Sequence, residues 1–257
     1  MSTLSNREKN ALDQADELLD AAVEATSSED AVEAALRAIR ASPLCADAYV
    51  FLAIHGGYDG HEALQVWRSG LAAAETCLQD SFKRYRGEFW DFLETRPYMR
   101  AKHGLAMALI DMGQPKEAIG HLEEMLELNP NDNQGARYVL LELYLAGKKD
   151  AAARELLKRY PEEWSAWFAW APVLLNFRKG GAKAAMQALD AAMKCNNHVR
   201  DYLTGKRKQP KIMPEYYQAG SAEEAQLYAQ RALLSWDATE GALEWLVATS
   251  KAAKTRR

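Results

Sequence analysis

The sequence predicts an all-α protein: a right-handed solenoid of helical hairpins closed by C-terminal capping helices. Three observations predict it. Alanine, leucine, glutamate and lysine dominate, while glycine and proline are sparse and fall mostly between periodic stretches, a balance that favours helix. No long β-branched run argues for sheet. Finally, the punctuation recurs, with a glycine, a small residue and a helix stop returning at a nearly constant interval.

Residues 1–80 are expected to form divergent N-terminal hairpins. Met1 to Leu19 alternates charged and apolar residues and has no uninterrupted apolar core, so it reads as a helix surface and not as a secretion signal. Asp30 and Ala31 through Ala38, stopped by Pro43, form a second helix. Tyr49 to Ile54 and His61 to Leu78 form a further hairpin around the loop Gly56-Gly57-Tyr58-Asp59-Gly60. Residues 81–98 are aromatic and basic and break the interval, which predicts a connecting segment with a helical turn.

The clearest copy begins at Met99 and ends at Asp132. Leu105 and Ala106 give its first helix an inner face, and the small Ala lets a second helix approach. Gly113 ends that helix, Ala118 is the small contact of the next one, and Leu122, Met125 and Leu126 continue the apolar stripe until Pro130. This pattern resembles a tetratricopeptide repeat of about 34 residues. A second copy follows through Gly147, Ala152 and Leu156, with Pro161 and Trp164 closing it. A third runs through Gly180 or Gly181, Ala185, Leu189 and Ala192 to Asn196 and Asn197. These copies occupy 99–199, and residues 200–257 supply the caps: helices over about Ser221 to Ser235 and Glu240 to Lys254. The first starts on Ser221 with Glu224 three residues later, a capping-box pattern. Hairpins of this kind bury their faces only by stacking, so one continuous solenoid domain is expected.

Further motifs exceed what a generic repeat needs. They are Leu93 to Arg100 (LETRPYMR), Leu128 to Gly135 (LNPNDNQG), Asn197-His198-Val199 leading to Tyr202-Leu203, and a tail with Tyr216-Tyr217, Glu223-Glu224-Ala225, Trp236 and Glu240 to Leu243. Over the last two thirds of the chain these resemble the suppressor of tumorigenicity seven family and its bacterial repeat-containing relatives. The resemblance implies a helical-repeat fold with no assigned catalytic chemistry, in a bacterial cytoplasmic relative.

The net charge of −4 gives no general reason to expect nucleic-acid or membrane binding. The acidic N-terminal run (Asp13, Asp16, Glu17, Asp20, Glu24) and the basic residues Lys206, Arg207, Lys208, Lys211, Arg256 and Arg257 read as solvated faces. Cys45, Cys77 and Cys195 are odd in number and lack paired spacing, which suits neither a disulfide framework nor zinc and points to a reducing, cytoplasmic setting. No segment is apolar for long enough to span a bilayer. His55, His61, His103, His121 and His198 have no metal-ligand spacing, the Gly56–Gly60 loop lacks the Lys-Ser/Thr of a phosphate cradle, and no nucleophile pairs with a base. No cofactor, no metal and no enzymatic activity are therefore expected.

What remains is binding of a protein or peptide partner in a concave groove. In tetratricopeptide hairpins the first-helix positions line that groove, here Arg100, His103 and Met107, then Gln134, Arg137 and Leu141, then Trp167, Trp170 and Leu174. His103 and Met107 stand where a carboxylate clamp would place Lys and Asn, so an extended or helical segment with apolar anchors and an acidic group fits better. Trp164, Trp167 and Trp170 form a stripe that either lines the groove or packs between repeats. Arg96 and Arg100 flank Pro97-Tyr98 and either present two guanidiniums to one anion or close an internal ion pair with Glu94 or the Asp132 loop. The partner-binding set is thus Arg96, Arg100, His103, Gln134, Arg137, Trp167 and Trp170. Two alternatives stand beside it: a ligand-binding protein or enzyme with a pocket for a small anionic molecule near Arg96, Arg100 and His103, or a structural subunit that self-associates into a homo-oligomer.

Overall fold

In the computed structural model, which describes residues 4–79 and 81–255 with side chains through Thr249, the amphipathic stripes are helices and the punctuation lies in the turns between them. No strand occurs among the described residues, and the protein is an all-α helical-repeat array. Arg256 and Arg257 lie outside the described residues. The chain divides into two compact units, Met1–Arg137 and Tyr138–Arg257, so the expected repeat region 99–199 contributes to both.

The first unit opens with α1 (Asn6–Glu24), started by a complete capping box in which Ser5 and Glu8 satisfy each other's backbone amides. It pairs with α2 (Ser28–Ala41), and Ala15, Ala22, Ala35 and Ala38 bring the two together at close range. Next come α3 (Ala46–His55) and α4 (Gly60–Leu78), then α5 (Ser81–Arg84), a 3₁₀ turn (Leu93–Thr95), α6 (Arg96–Asp111) and α7 (Pro115–Leu128). α3 packs on α4 and α6 on α7, while α2 reaches α3 and α4 reaches α6, so α2 and α4 each cover two first helices.

Gly113 sits at φ 69°, the left-handed conformation its position in the sequence demands. Gly113 N donates to Ile110 O at 2.9 Å and Gln114 N to Leu109 O at 2.8 Å, satisfying carbonyls at the end of α6. Leu105, Ala106, Ala118, Leu122, Met125 and Leu126 are all buried, as the first copy requires. The connecting segment is more ordered than a linker. Gly87 N and Phe89 N both donate to Leu128 O at 3.0 Å. The fully buried Phe89 meets Phe82 and Tyr98 edge-on, at centroid distances of 4.8 and 5.7 Å.

In the second unit α8 (Ala136–Ala146), whose first residues belong to the first unit, leads to α9 (Asp150–Arg159) and α10 (Ala166–Cys195). The α8–α9 turn repeats the amide pattern of Gly113, with Lys148 N on Leu145 O and Lys149 N on Tyr144 O. The left-handed residue is therefore Lys148, at φ 52°, and the buried small residue is Ala153, with Ala152 half-buried. The second copy lies one residue later than Gly147 and Ala152 predict. α10 breaks at Gly180 and Gly181, the expected third turn, and Ala185, Leu189 and Ala192 are buried beyond it. A short α11 (His198–Leu203) and an irregular loop precede the two terminal helices, α12 (Ala222–Asp237) and α13 (Ala242–Thr255), which pack on α10.

Glu224, fully buried, ties these caps together. Its Oε1 accepts Ala166 N at 2.9 Å, at the start of α10, and its Oε2 accepts Gly220 N at 2.8 Å and Asn196 Nδ2 at 2.9 Å. Ser221 meanwhile accepts Glu224 N at 3.1 Å. One carboxylate so satisfies the amide-rich start of α10 and the turn into α12.

Two glycines separate conformational from steric demand. A Cβ on Gly104 of α6 falls 2.2 Å from the ring of Trp67 in α4, whereas one on Gly113 meets nothing within 4 Å. Gly104→Ala is expected to cost about 1–3 kcal/mol by overpacking, and Trp67→Leu should recover part of that loss in the double variant. Gly113→Ala is expected to cost about 1–2 kcal/mol through backbone conformation alone, with no rescue by Trp67→Leu. Urea denaturation of the single and double variants checks both.

Candidate functional site

In the first unit the helices leave a cavity of about 750 Å3 between α1 and the α5–α6 segment. α1 supplies one wall. Its stripe is wider than its pairing with α2 requires: Ala15 packs into a cluster with Ala38, Cys45 and Ala48, while Leu12 and Leu19 also face the cavity. Leu44, Cys45 and Ala46 at the start of α3, with Ala74, Cys77 and Leu78 at the end of α4, form the floor. Arg84, Tyr85, Leu93, Glu94, Arg96 and Pro97 form the opposite wall, so the segment that interrupts the repeat builds half the site.

Charge is paired at the centre of the site and divided at its edges. Arg100 grips Asp47 with two bonds, Nε to Oδ1 at 2.8 Å and Nη2 to Oδ2 at 2.5 Å. Asp47 lies in the first turn of α3, where the helix dipole also favours an anion. Asp16 and Asp20 face the cavity from α1 together with Lys9, while Arg84 and Arg96 face it from the other wall together with Glu94, so the α1 wall is net acidic and the other net basic by one charge each. Burial raises the pKa of Asp16, with nearby Asp47, Asp13 and Asp20 adding to it and the Cys45 thiol, 3.5 Å from Oδ1, opposing it. The Cys45 thiol is pushed up to about 12, chiefly by burial and further by Asp16 and Asp47, and burial raises Cys77 as well. Both thiols are therefore protonated at neutral pH and unsuited to nucleophilic attack or thiolate ligation. Among the described residues, no group of three or more His, Cys, Asp and Glu side chains is placed to hold a metal ion.

Of the residues singled out in the sequence, the cavity brings together only Arg96 and Arg100. Arg96 Nε donates to Trp90 O at 3.0 Å, and its guanidinium lies 5.4 Å from the Trp90 ring. Arg100 closes an internal ion pair, but with Asp47 and not with Glu94 or the Asp132 loop. His103 is half-buried on α6 outside the cavity lining. Gln134 Nε2 donates to Met99 O at 3.3 Å. Arg137 Nη1 bonds both the Asp132 carbonyl, at 3.2 Å, and its Oδ2, at 3.0 Å. The buried Asp132 carboxylate also accepts Ala136 N and Arg137 N at 2.7 and 2.9 Å, capping α8. Arg137 is thus bound to the residue that starts its own helix.

The tryptophan expectation is corrected in the second unit. Trp170 is fully buried, edge-on to Trp236 at 6.2 Å, with Nε1 donating to Asn196 O at 3.2 Å. A side chain with no exposed surface cannot touch a partner, so Trp170 is core and leaves the binding set. Trp164 precedes the first residue of α10 and is 61% exposed, so it is not part of a helical stripe. Trp167, 7% exposed, lies among Tyr138, Tyr217 and Tyr228 and donates from Nε1 to Glu142 Oε1 at 2.5 Å. Its partner Glu142 also takes a longer bond from Arg231 at 3.4 Å.

Sequence reasoning missed Asp47, Asp16, Leu78 and Glu142. Leu12 and Leu19 were the available signal for a cavity, because they widen the α1 stripe beyond Ala15 and Ala22. Nothing local marks Asp47, which finds its arginine in another hairpin.

Helices paired in this way, with left-handed residues in the α3–α4, α6–α7 and α8–α9 turns, define a helical-repeat protein, and the tetratricopeptide-repeat family model matches residues 109–163. Over those residues the chain is similar to the tetratricopeptide repeat, and over most of its length it is similar to the suppressor of tumorigenicity 7 protein. It is 26% identical to those of Macaca fascicularis, Rattus norvegicus and Mus musculus over 239 residues, 82% of this chain. It spans 44% of the first of these relatives and 41% of the other two. No solved structure matches it. Among the described residues, no helix is long and apolar enough to cross a membrane.

Burial raises the pKa of Glu142, with Arg231 and the Trp167 N–H opposing it. The folded state therefore holds this proton more tightly than the unfolded chain does. Its contribution to stability is full below the ordinary glutamate value and declines as pH rises through the folded value. Glu142→Gln is expected to gain on the wild type as pH rises across that window, measured by urea unfolding at a series of pH values. A constant difference would contradict the assignment.

Proposed function

We propose that this chain is a non-enzymatic interaction module, and that its first unit holds a segment of a protein partner in the cavity between α1 and the α5–α6 wall. The observation that carries this reading is the cavity itself: an apolar floor between walls that mix aliphatic and charged side chains, of a size that takes several side chains. The rim selects the segment. Arg84 and Arg96 outweigh Glu94 on one side and suit an acidic group, Asp16 and Asp20 outweigh Lys9 on the other and suit a basic group, and an aliphatic anchor fits between them. Of the residues expected to bind, Arg96 keeps a direct role and Arg100 supports the floor through Asp47. An anionic small molecule fits less well, because Asp47 already neutralises Arg100 and His103 lies outside the lining. The three free cysteines suit a reducing compartment, and we place the module in the cytoplasm.

Fluorescence anisotropy with an array of labelled peptides, each with a basic end, an aliphatic centre and an acidic end, tests this reading. Charge-reversed and scrambled arrays serve as controls. Leu93, 71% exposed at the cavity wall, can be changed without loss of core. Leu93→Asp is expected to weaken the best peptides by about tenfold or more, near 1.4 kcal/mol, and Arg96→Glu to weaken those with the acidic end. Equal binding of the ordered and scrambled arrays would overturn the proposal.

A further inference from the structure

The loop between α11 and α12 is fastened at its base and displayed at its apex. Lys206 Nζ lies 2.9 Å from both oxygens of Asp201, Gln209 Nε2 donates to Gln226 O at 3.1 Å, and the Tyr217 ring lies 5.9 Å from that of Trp167. Between these anchors Ile212 is 87% and Tyr216 85% exposed, more than any need of the fold explains. Pro210 and Pro214 bracket the apex and limit its conformations, so less entropy is lost when it docks.

Charge along the loop is ordered. From Tyr202 to Pro214 the chain carries Lys206, Arg207, Lys208 and Lys211 and no carboxylate, and the first acid after the apex is Glu215. The segment thus reads basic, then aliphatic, then acidic. The cavity of the first unit has the complementary order in net charge, with Asp16 and Asp20 outweighing Lys9 on the α1 wall, an apolar floor, and Arg84 and Arg96 outweighing Glu94 opposite.

We infer that the occupant of the cavity is the 205–216 loop of a second copy of this chain, with Ile212 as the apolar anchor, Lys208 and Lys211 toward α1, and Glu215 toward Arg84 and Arg96. The inference rests on the cavity being a segment-binding site, as proposed above. Two different surfaces meet in this contact, so it is heterologous and propagates head to tail, beyond a dimer. Opposite charges steer the encounter, and added salt weakens it.

The test is sedimentation velocity of the full chain over a concentration series, with Ile212→Asp and Asp20→Lys as variants. Both sites are exposed, and circular dichroism melts check that each variant folds. Wild-type mass is expected to rise with concentration and to fall with salt, and each variant to associate about tenfold or more weakly. Mixing the two variants is the sharper experiment: one keeps its cavity and the other its loop, so together they should form a dimer that grows no further. A wild type that is monomeric at every concentration, an association unchanged by Ile212→Asp, or a mixture that grows past the dimer would overturn the inference. The peptide array separates the two readings. Array binding that Leu93→Asp abolishes, in a chain that does not self-associate, removes the second copy as occupant and leaves the cavity as a docking site. Absence of both removes both.

Discussion

An amphipathic helical hairpin carries an apolar stripe that it cannot bury against itself, and it becomes stable only when a neighbour covers that stripe. This requirement arranges both units. The second helix of one hairpin covers the first helix of the next, as α2 does for α3 and, across the connecting segment, α4 for α6. Where the chain departs from the repeat, other material does the covering. The aromatic segment after α4 lays Phe82 and Phe89 against Tyr98 at the start of α6, and the loop before α12 brings Tyr217 against Trp167. The features of greatest functional interest lie at these two interruptions, because a covering segment need not copy the helix it replaces. It can leave a gap on one side and display an apex on the other.

Buried polar groups fix which arrangement is adopted. Glu224 binds the start of α10, the Asn196 side chain and the turn into α12, so misplacing any of the three strands a charge away from water. Lys102 on α6 is nearly inaccessible, yet it reaches Glu124 on α7 at 2.6 Å and the Tyr98 hydroxyl at 2.9 Å. The buried Asp132 carboxylate fixes the start of α8 through Ala136 N and Arg137 N. Replacing such groups by apolar ones would keep the cores filled while removing the penalty for shifted pairings. The Arg100–Asp47 pair belongs to the same set, and its position beside the cavity makes it a support for the site and not a contact for the partner.

The helices and their pairing were legible because they depend on local chemistry: periodic leucines and alanines, a glycine with left-handed φ, a capping serine. In the first copy Leu105, Ala106, Gly113, Ala118, Leu122, Met125 and Leu126 fell where expected, although α6 begins at Arg96, inside the stretch expected to be a connecting segment. The second was misplaced by one, because Gly147 attracted the turn assignment while the left-handed conformation fell on Lys148, a residue type that does not advertise it. The site was less legible. Arg96 and Arg100 could be selected as a pair, but whether a guanidinium faces a partner or an internal carboxylate depends on which hairpin lies opposite. Trp170 and Trp167 show the same limit from the other direction, since a large aromatic suits a groove or a core equally well until its neighbours are known.

The close approach of α4 and α6 constrains how this sequence can change over time. Gly104 has no space for a methyl group because the Trp67 ring already fills it, so the two positions are not independent. A lineage that first shrinks the indole acquires freedom at position 104, whereas one that first enlarges the glycine passes through a strained intermediate. The accessible route therefore runs in one order, and each step taken along it makes the reverse step harder.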